Sequence, residues 1–139
     1  MTTPVSQCTV FIQVWIDTNA VQAGSTKGVY MVDNRTSRGS QKEGSGTLQT
    51  SCTMNSNICW MVLPIDPNFT AAGGMIGMQS IGNSNAWGSS GQPQRIDGTT
   101  FTGTAQNAGT ANYQMGINVQ LPGKSGMTLS LNPTVAVIN

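Results

Sequence analysis

A chain of 139 residues with a formal charge of +1 fits one domain, and at that length it buries roughly two thirds of the surface its unfolded form exposes without a disulfide or metal to hold a core. Only 8% of its residues are charged, against about 25% in ordinary soluble proteins, and no basic run is present to release counterions from a phosphate backbone, which argues against a nucleic-acid partner. There is no histidine, so the commonest general base, the commonest metal ligand and every Ser-His or Cys-His nucleophile pair are excluded together.

Residues 1–6 have neither the basic start nor the apolar core of a signal peptide, and no apolar run approaches membrane-spanning length. They predict a cytoplasmic protein with reduced cysteines and no membrane partner. Residues 8–16, CTVFIQVWI, alternate Val10, Ile12, Val14 and Ile16 against Phe11, Gln13 and Trp15, the period of a strand with one fully apolar face. A turn at Asp17, Thr18 and Asn19 leads through a small, polar stretch, residues 20–27, to a second strand at 28–32 that ends at Asp33 and Asn34. Residues 35–46 hold Arg35, Arg38, Lys42, Glu43 and three glycines, the composition of a mobile, solvated connector.

A further strand is expected at 47–53, followed by the longest unbroken apolar run, Ile58 to Leu63, which Pro64 and Pro67 stop too soon for a helix. It reads as a central strand buried on both faces, with Trp15 and Trp60 in the core and Asn55, Ser56 and Asn57 as the turn before it. Strands are also predicted at 75–81, 99–105, 112–121, 127–131 and 134–138, with turns at Pro122-Gly123 and Asn132-Pro133. About nine short strands and no sustained helical period define an all-β chain, a single antiparallel β-sandwich domain over residues 1–139, with a closed barrel as the alternative.

Each carboxylate has a local explanation. Asp17, Asp33 and Asp66 close or follow strands and Asp97 precedes Gly98, places where Asp bonds nearby backbone amides. No phosphate-cradling glycine loop and no G-x-S-x-G elbow occurs, so no catalytic residue and no cofactor are assigned. Asp17 with Asn19 and Asp33 with Asn34 are the best oxygen ligands for a hard cation, and turn capping is the competing account of all four. The loop at residues 83–93 combines Trp87 with Asn83 and Asn85, a ring to stack on a sugar and amides to bond its hydroxyls, and Asp97 joins them as a candidate ligand-binding residue. The competing account folds Trp87 back as a plug on the sandwich.

Near-zero net charge removes the self-repulsion that keeps proteins apart, and eight methionines supply side chains that repack readily at contacts, so a second copy of the chain is the expected partner. The motifs Trp15-Ile16-Asp17-Thr18, Gly28-Val29-Tyr30-Met31-Val32-Asp33-Asn34 and Ile58-Cys59-Trp60, with the methionine richness and low charge, resemble the PixA/AidA inclusion-body proteins of bacteria. The resemblance implies a β-sandwich made in bulk, able to accumulate as cytoplasmic inclusions, with no known catalysis. The chain departs from that pattern in being compact between Asp17 and Gly28 and in its C-terminal Leu131-Asn132-Pro133, which lacks the more aromatic ending the resemblance implies. Two functions are carried forward: a self-associating, non-enzymatic protein of structural or storage type, and a carbohydrate-binding module built on the Trp87 loop.

Overall fold

The computed structural model describes residues 2–21 and 26–139, so residues 22–25 of the polar stretch expected at 20–27 lie outside the described residues. In chain order the strands are β1 (Val10–Ile16), β2 (Val29–Asp33), β3 (Gln49–Thr53), β4 (Ser56–Pro64), β5 (Met75–Ile81), β6 (Gln94–Asp97), β7 (Thr100–Ala105), β8 (Gly109–Asn112), β9 (Met115–Gln120), β10 (Gly126–Leu131) and β11 (Thr134–Ile138). Three short 3-10 turns are the only helical elements among the described residues.

One layer is a five-stranded sheet in the order β2-β1-β4-β7-β6. The strand pairs place Ile12 beside Trp60 and Trp60 beside Phe101, so the apolar sets of β1, β4 and β7 share one face and build one side of the core. The second layer is a long hairpin with two flanking strands. Its register runs unbroken from Gly126↔Gln120 through Leu131↔Met115 and Thr134↔Asn112 to Val137↔Gly109. The ladder lapses where Tyr113 and Gln114 meet Asn132 and Pro133, because Pro133 has no N–H to donate. Tyr113 still donates its N–H to the Pro133 carbonyl at 3.0 Å. Strand β5 flanks the first arm at β9, and β3 flanks the second at β11. The chain crosses between layers at Met54 and Asn55, whose N–H groups bond Ile138 O in one layer and Ala105 O in the other at 2.9 and 2.6 Å. Asn55 makes this corner at φ 69°, a conformation Asn tolerates better than most residues.

Both layers close on one continuous core, at whose centre three rings meet edge to face. Trp60 comes from β4, Trp87 from the loop after β5, and Tyr113 from the lapse in the long hairpin. Their centroids lie 5.4 Å (Trp60–Trp87), 6.0 Å (Trp60–Tyr113) and 5.3 Å (Trp87–Tyr113) apart. Trp60 Nε1 donates to Tyr113 Oη at 3.1 Å, and Trp87 Nε1 donates to Gly82 O at 3.0 Å. Burial pushes the Tyr113 hydroxyl well above the ordinary tyrosine value, so it stays protonated.

The β-sandwich expected from the sequence is therefore present, and its five-stranded sheet stays open at β2 and β6 rather than closing into a barrel. Several details differ. Strands β6 and β8 were not expected, since both are short edge strands with no apolar alternation, Ile96 being the one large apolar residue in either. The pairings β1–β4 and β3–β11 are parallel, so the sheets are mixed. Trp15 faces outward and is half-buried, because the even-numbered positions of β1 fill the interior. For the same reason Met61 and Leu63 on the outward side of β4 are only half-buried. The connector at 35–46 is ordered against its neighbours, with Ser45 bridging to Met31 and Gln41 to Gln49.

The Trp87 loop is held to β7 by backbone bonds through Gly91, whose N–H donates to Trp87 O at 2.9 Å and whose carbonyl accepts from Thr104 N–H at 3.0 Å. A Cβ on Gly91 would run into the carbonyl oxygens of Thr104 and Trp87, whereas one on Gly126 would meet open space. Gly91→Ala is expected to cost about 3 kcal/mol or more, at the upper end of overpacking penalties, and Gly126→Ala to stay within about 0.5 kcal/mol of the wild type. Urea midpoints of the two variants check this, and equal midpoints would contradict the close approach at Gly91.

Candidate functional site

The residues chosen from the sequence do not come together. Trp87 is 0% exposed, so no sugar ring can reach a face of its indole and the stacking platform is lost. The loop makes a 3-10 turn, Asn85–Trp87, where Ser84 Oγ accepts from Ala86 N–H at 3.3 Å, and this turn drives the indole inward. Asn83 and Asn85 remain exposed on the loop. Asp97 is far from both, because it pairs with Thr100 at one end of β7 while the loop bonds Thr104 and Gln106 toward the other. Its carboxylate accepts Thr99 N–H at 2.9 Å and Thr99 Oγ1–H at 3.1 Å, and the first of these chiefly holds its pKa below the ordinary aspartate value.

The cation candidates separate in the same way. Strands β1 and β2 are antiparallel with Ile16↔Val29 and Ile12↔Asp33, which puts Asp17 and Asp33 at opposite ends of the ladder, roughly 17 Å apart along the strand. Asp17 Oδ1 accepts from Asn19 N–H at 3.0 Å, Asp33 Oδ1 from Arg35 N–H at 2.8 Å, and Asn34 Oδ1 from Phe11 N–H at 2.9 Å. Asp66 makes the same turn onto Asn68 N–H at 2.9 Å. Among the described residues no cluster of three or more Cys, Asp or Glu side chains is placed to hold a metal.

Glu43 is different, and nothing local in the sequence marks it. The ordered connector carries it back onto β2, where its Oε1 accepts Asp33 N–H at 2.9 Å. The other two oxygens, Asp33 Oδ2 and Glu43 Oε2, are buried without a partner. A proton on Glu43 would let the two carboxyl groups bond to each other and give both atoms a partner. Burial first, and the facing Asp33 carboxyl second, raise Glu43 above its ordinary value of 4.5, against the lowering effect of the Asp33 N–H bond.

A broad feature of the described surface is the outward face of β1, β2 and β4. Phe11 and Tyr30 are 38% and 43% exposed, beside half-buried Trp15, Val32, Met61 and Leu63. Register makes them neighbours: Trp15 pairs with Tyr30 on one side and Leu63 on the other, and Phe11 with Cys59. No outward position in these rows is charged, and Trp15 Nε1 donates to Gln13 Oε1 at 3.2 Å within the face. A hollow of about 420 Å³ adjoins it, lined in part by Met61, Leu63, Met75 and Ile76. The period-two pattern contained this face, in Phe11, Gln13 and Trp15 opposite the apolar set of β1, but only the register of β2 and β4 shows how far it extends.

These features define a two-layer β-sandwich protein with an uncharged apolar face on its larger sheet. The chain belongs to the family described as Domain of unknown function (DUF8788), whose pattern matches residues 8–127. Its fold is also that of the inclusion body protein PixA from Burkholderia cenocepacia J2315, whose crystal structure matches with a TM-score of 0.70 at 13% sequence identity, over 99% of this chain and 100% of that one. No curated protein sequence matches the chain.

The Asp33–Glu43 pair gives stability a pH dependence of known sign. Because the folded value of Glu43 lies above its unfolded one, the contribution is complete below about pH 4.5 and is lost as pH rises through the folded value. Relative to Glu43→Gln, whose amide does not ionise, the wild type should lose up to about 1 kcal/mol between pH 4 and pH 8, a small effect because solvent lies close by. Urea midpoints of both proteins across that range check it, and parallel pH profiles would contradict the shared proton.

Proposed function

We propose that this chain is a non-enzymatic β-sandwich protein that associates with copies of itself, a cytoplasmic protein of the inclusion-body type with a structural or storage role. The observation that carries the reading is the uncharged apolar face around Phe11, Trp15 and Tyr30 on a chain whose net charge is only +1. Two such faces meet without desolvating a charge, and little long-range repulsion opposes their approach. The likeness in fold to an inclusion body protein over the full length supports the same reading.

The size of the face sets the strength of the contact. A handful of half-exposed side chains offers a few hundred Å², below the ~800 Å² per partner of a stable interface. Each contact is therefore weak, and assembly depends on high concentration, as suits a protein made in bulk. The core stays closed throughout, so the assembling unit is the folded chain. A carbohydrate-binding role for Asn83, Asn85 and Asp97 lacks the stacking ring it required, since Trp87 is enclosed.

Sedimentation velocity from micromolar to millimolar concentration is the test. The wild type should sediment faster as concentration rises, and the double variant Phe11→Glu, Tyr30→Glu should stay monomeric while losing little stability, since exposed substitutions usually move it by less than about 0.5 kcal/mol each. A wild type that is monomeric at millimolar concentration and neutral pH would remove the self-association reading.

A further inference from the structure

Residues 2–8 do not join the five-stranded sheet as a strand. They lie across its outward face. Thr102 Oγ1 donates to Thr3 O at 2.6 Å, Thr2 Oγ1 to Gln94 Oε1 at 3.0 Å, and Asn57 Nδ2 to Gln7 O at 3.2 Å. This crossing lays Cys8 over Cys59, which β4 turns outward between Phe11 of β1 and Thr102 of β7. Cys8 Sγ donates to Pro4 O at 3.8 Å, next to the Thr3 carbonyl that Thr102 binds beside Cys59, so the two thiols are close neighbours. Both cysteines are free, and they are 8% and 3% exposed. The third, Cys52, belongs to β3 in the other layer.

We propose that Cys8 and Cys59 are a redox-sensitive dithiol, which closes into an intramolecular disulfide on meeting a small-molecule disulfide of the glutathione class and so clamps residues 2–8 onto the central strand. Cys8, the more exposed of the two, reacts first as its thiolate. It attacks one sulfur of the oxidant and expels a thiolate, which takes up the proton that Cys8 lost. Cys59, deprotonated in turn, attacks the Cys8 sulfur of the mixed disulfide and expels the second thiol. Two protein thiols are oxidised to one disulfide, and one small disulfide is reduced to two thiols.

The fold also sets when this happens. Burial pushes Cys59 up to about 11 and raises Cys8, so in the closed state both remain S–H and unreactive. None of residues 2–7 is buried, so lifting the segment uncovers little apolar surface and is among the easier local openings of the molecule. The same opening frees both sulfurs, and their proximity favours ring closure over a lasting adduct on Cys8. In the disulfide form the segment can no longer lift, and the link constrains the unfolded chain over the long loop between the two cysteines.

The test treats the folded, full-length chain with glutathione disulfide at neutral pH, then alkylates it in denaturant and maps the products by mass spectrometry. Free thiols should fall from three to one, with Cys8 and Cys59 recovered as a linked peptide pair that dithiothreitol separates. Cys52→Ser should still form the link, and neither Cys8→Ser nor Cys59→Ser should form any intramolecular disulfide. The oxidised wild type should melt on the order of 5–10 °C higher than the reduced protein. Three alkylated thiols after treatment, a persistent glutathione adduct on Cys8, or a link that includes Cys52 would overturn the pairing. An unchanged or lowered melting temperature in the linked protein would overturn the clamp.

Discussion

Three buried rings, each with a polar hydrogen that must find an acceptor, fix how the two layers of this sandwich meet. Trp60, Trp87 and Tyr113 come from three separate parts of the chain and contribute little to one another until all are in place. An indole N–H left unpaired at this depth costs about 1–3 kcal/mol, so the Trp60 bond to the Tyr113 hydroxyl constrains the layers more tightly than ring contact alone. The lapse in the long hairpin falls at the same place: where Pro133 interrupts the ladder, Tyr113 keeps its N–H bond to Pro133 O and its ring reaches the centre of the core. The Trp87 loop closes the third side, held by the Gly82 carbonyl and by the close approach at Gly91.

A core closed from within leaves the outward face of the larger sheet with no structural duty. That face carries no charge along β1, β2 and β4. Residues 2–8 cover only its β4–β7 side, and Phe11, Trp15 and Tyr30 stay open beside them. Asp17, Asp33, Asp66 and Asp97 cap turns by accepting backbone N–H bonds, and the low overall charge lets whole molecules approach one another with little repulsion.

Period-two alternation made most strands legible, and β5 and β11 fall where the apolar pattern places them. The strands that were not legible are those without a buried face. Gln94–Asp97 is exposed throughout and Gly109–Asn112 nearly so, and pairing along an edge leaves no mark on composition. Strand direction was equally hidden, because the partners of β1 and β3 are decided by contacts far apart in the chain. Trp15 shows two rules in conflict, the bulk of tryptophan pointing inward and the parity of its strand pointing outward, and parity prevailed. Of the candidate site, the capping roles of Asp17, Asp33, Asp66 and Asp97 could be read from their turns. The Asp33–Glu43 and Cys8–Cys59 pairs could not, since each is made by a segment folding back over a sheet.

The dependence of the fold on the bond between Trp60 and Tyr113 is most directly measured by a double-mutant cycle of Trp60→Phe and Tyr113→Phe on urea unfolding. Each phenylalanine keeps a ring in the core while removing one partner of the hydrogen bond. The two losses should be strongly non-additive, with a coupling energy of about 1 kcal/mol or more. A coupling within about 0.5 kcal/mol of zero, the usual scatter for independent sites, would show that the layers are held by ring packing alone and contradict the account.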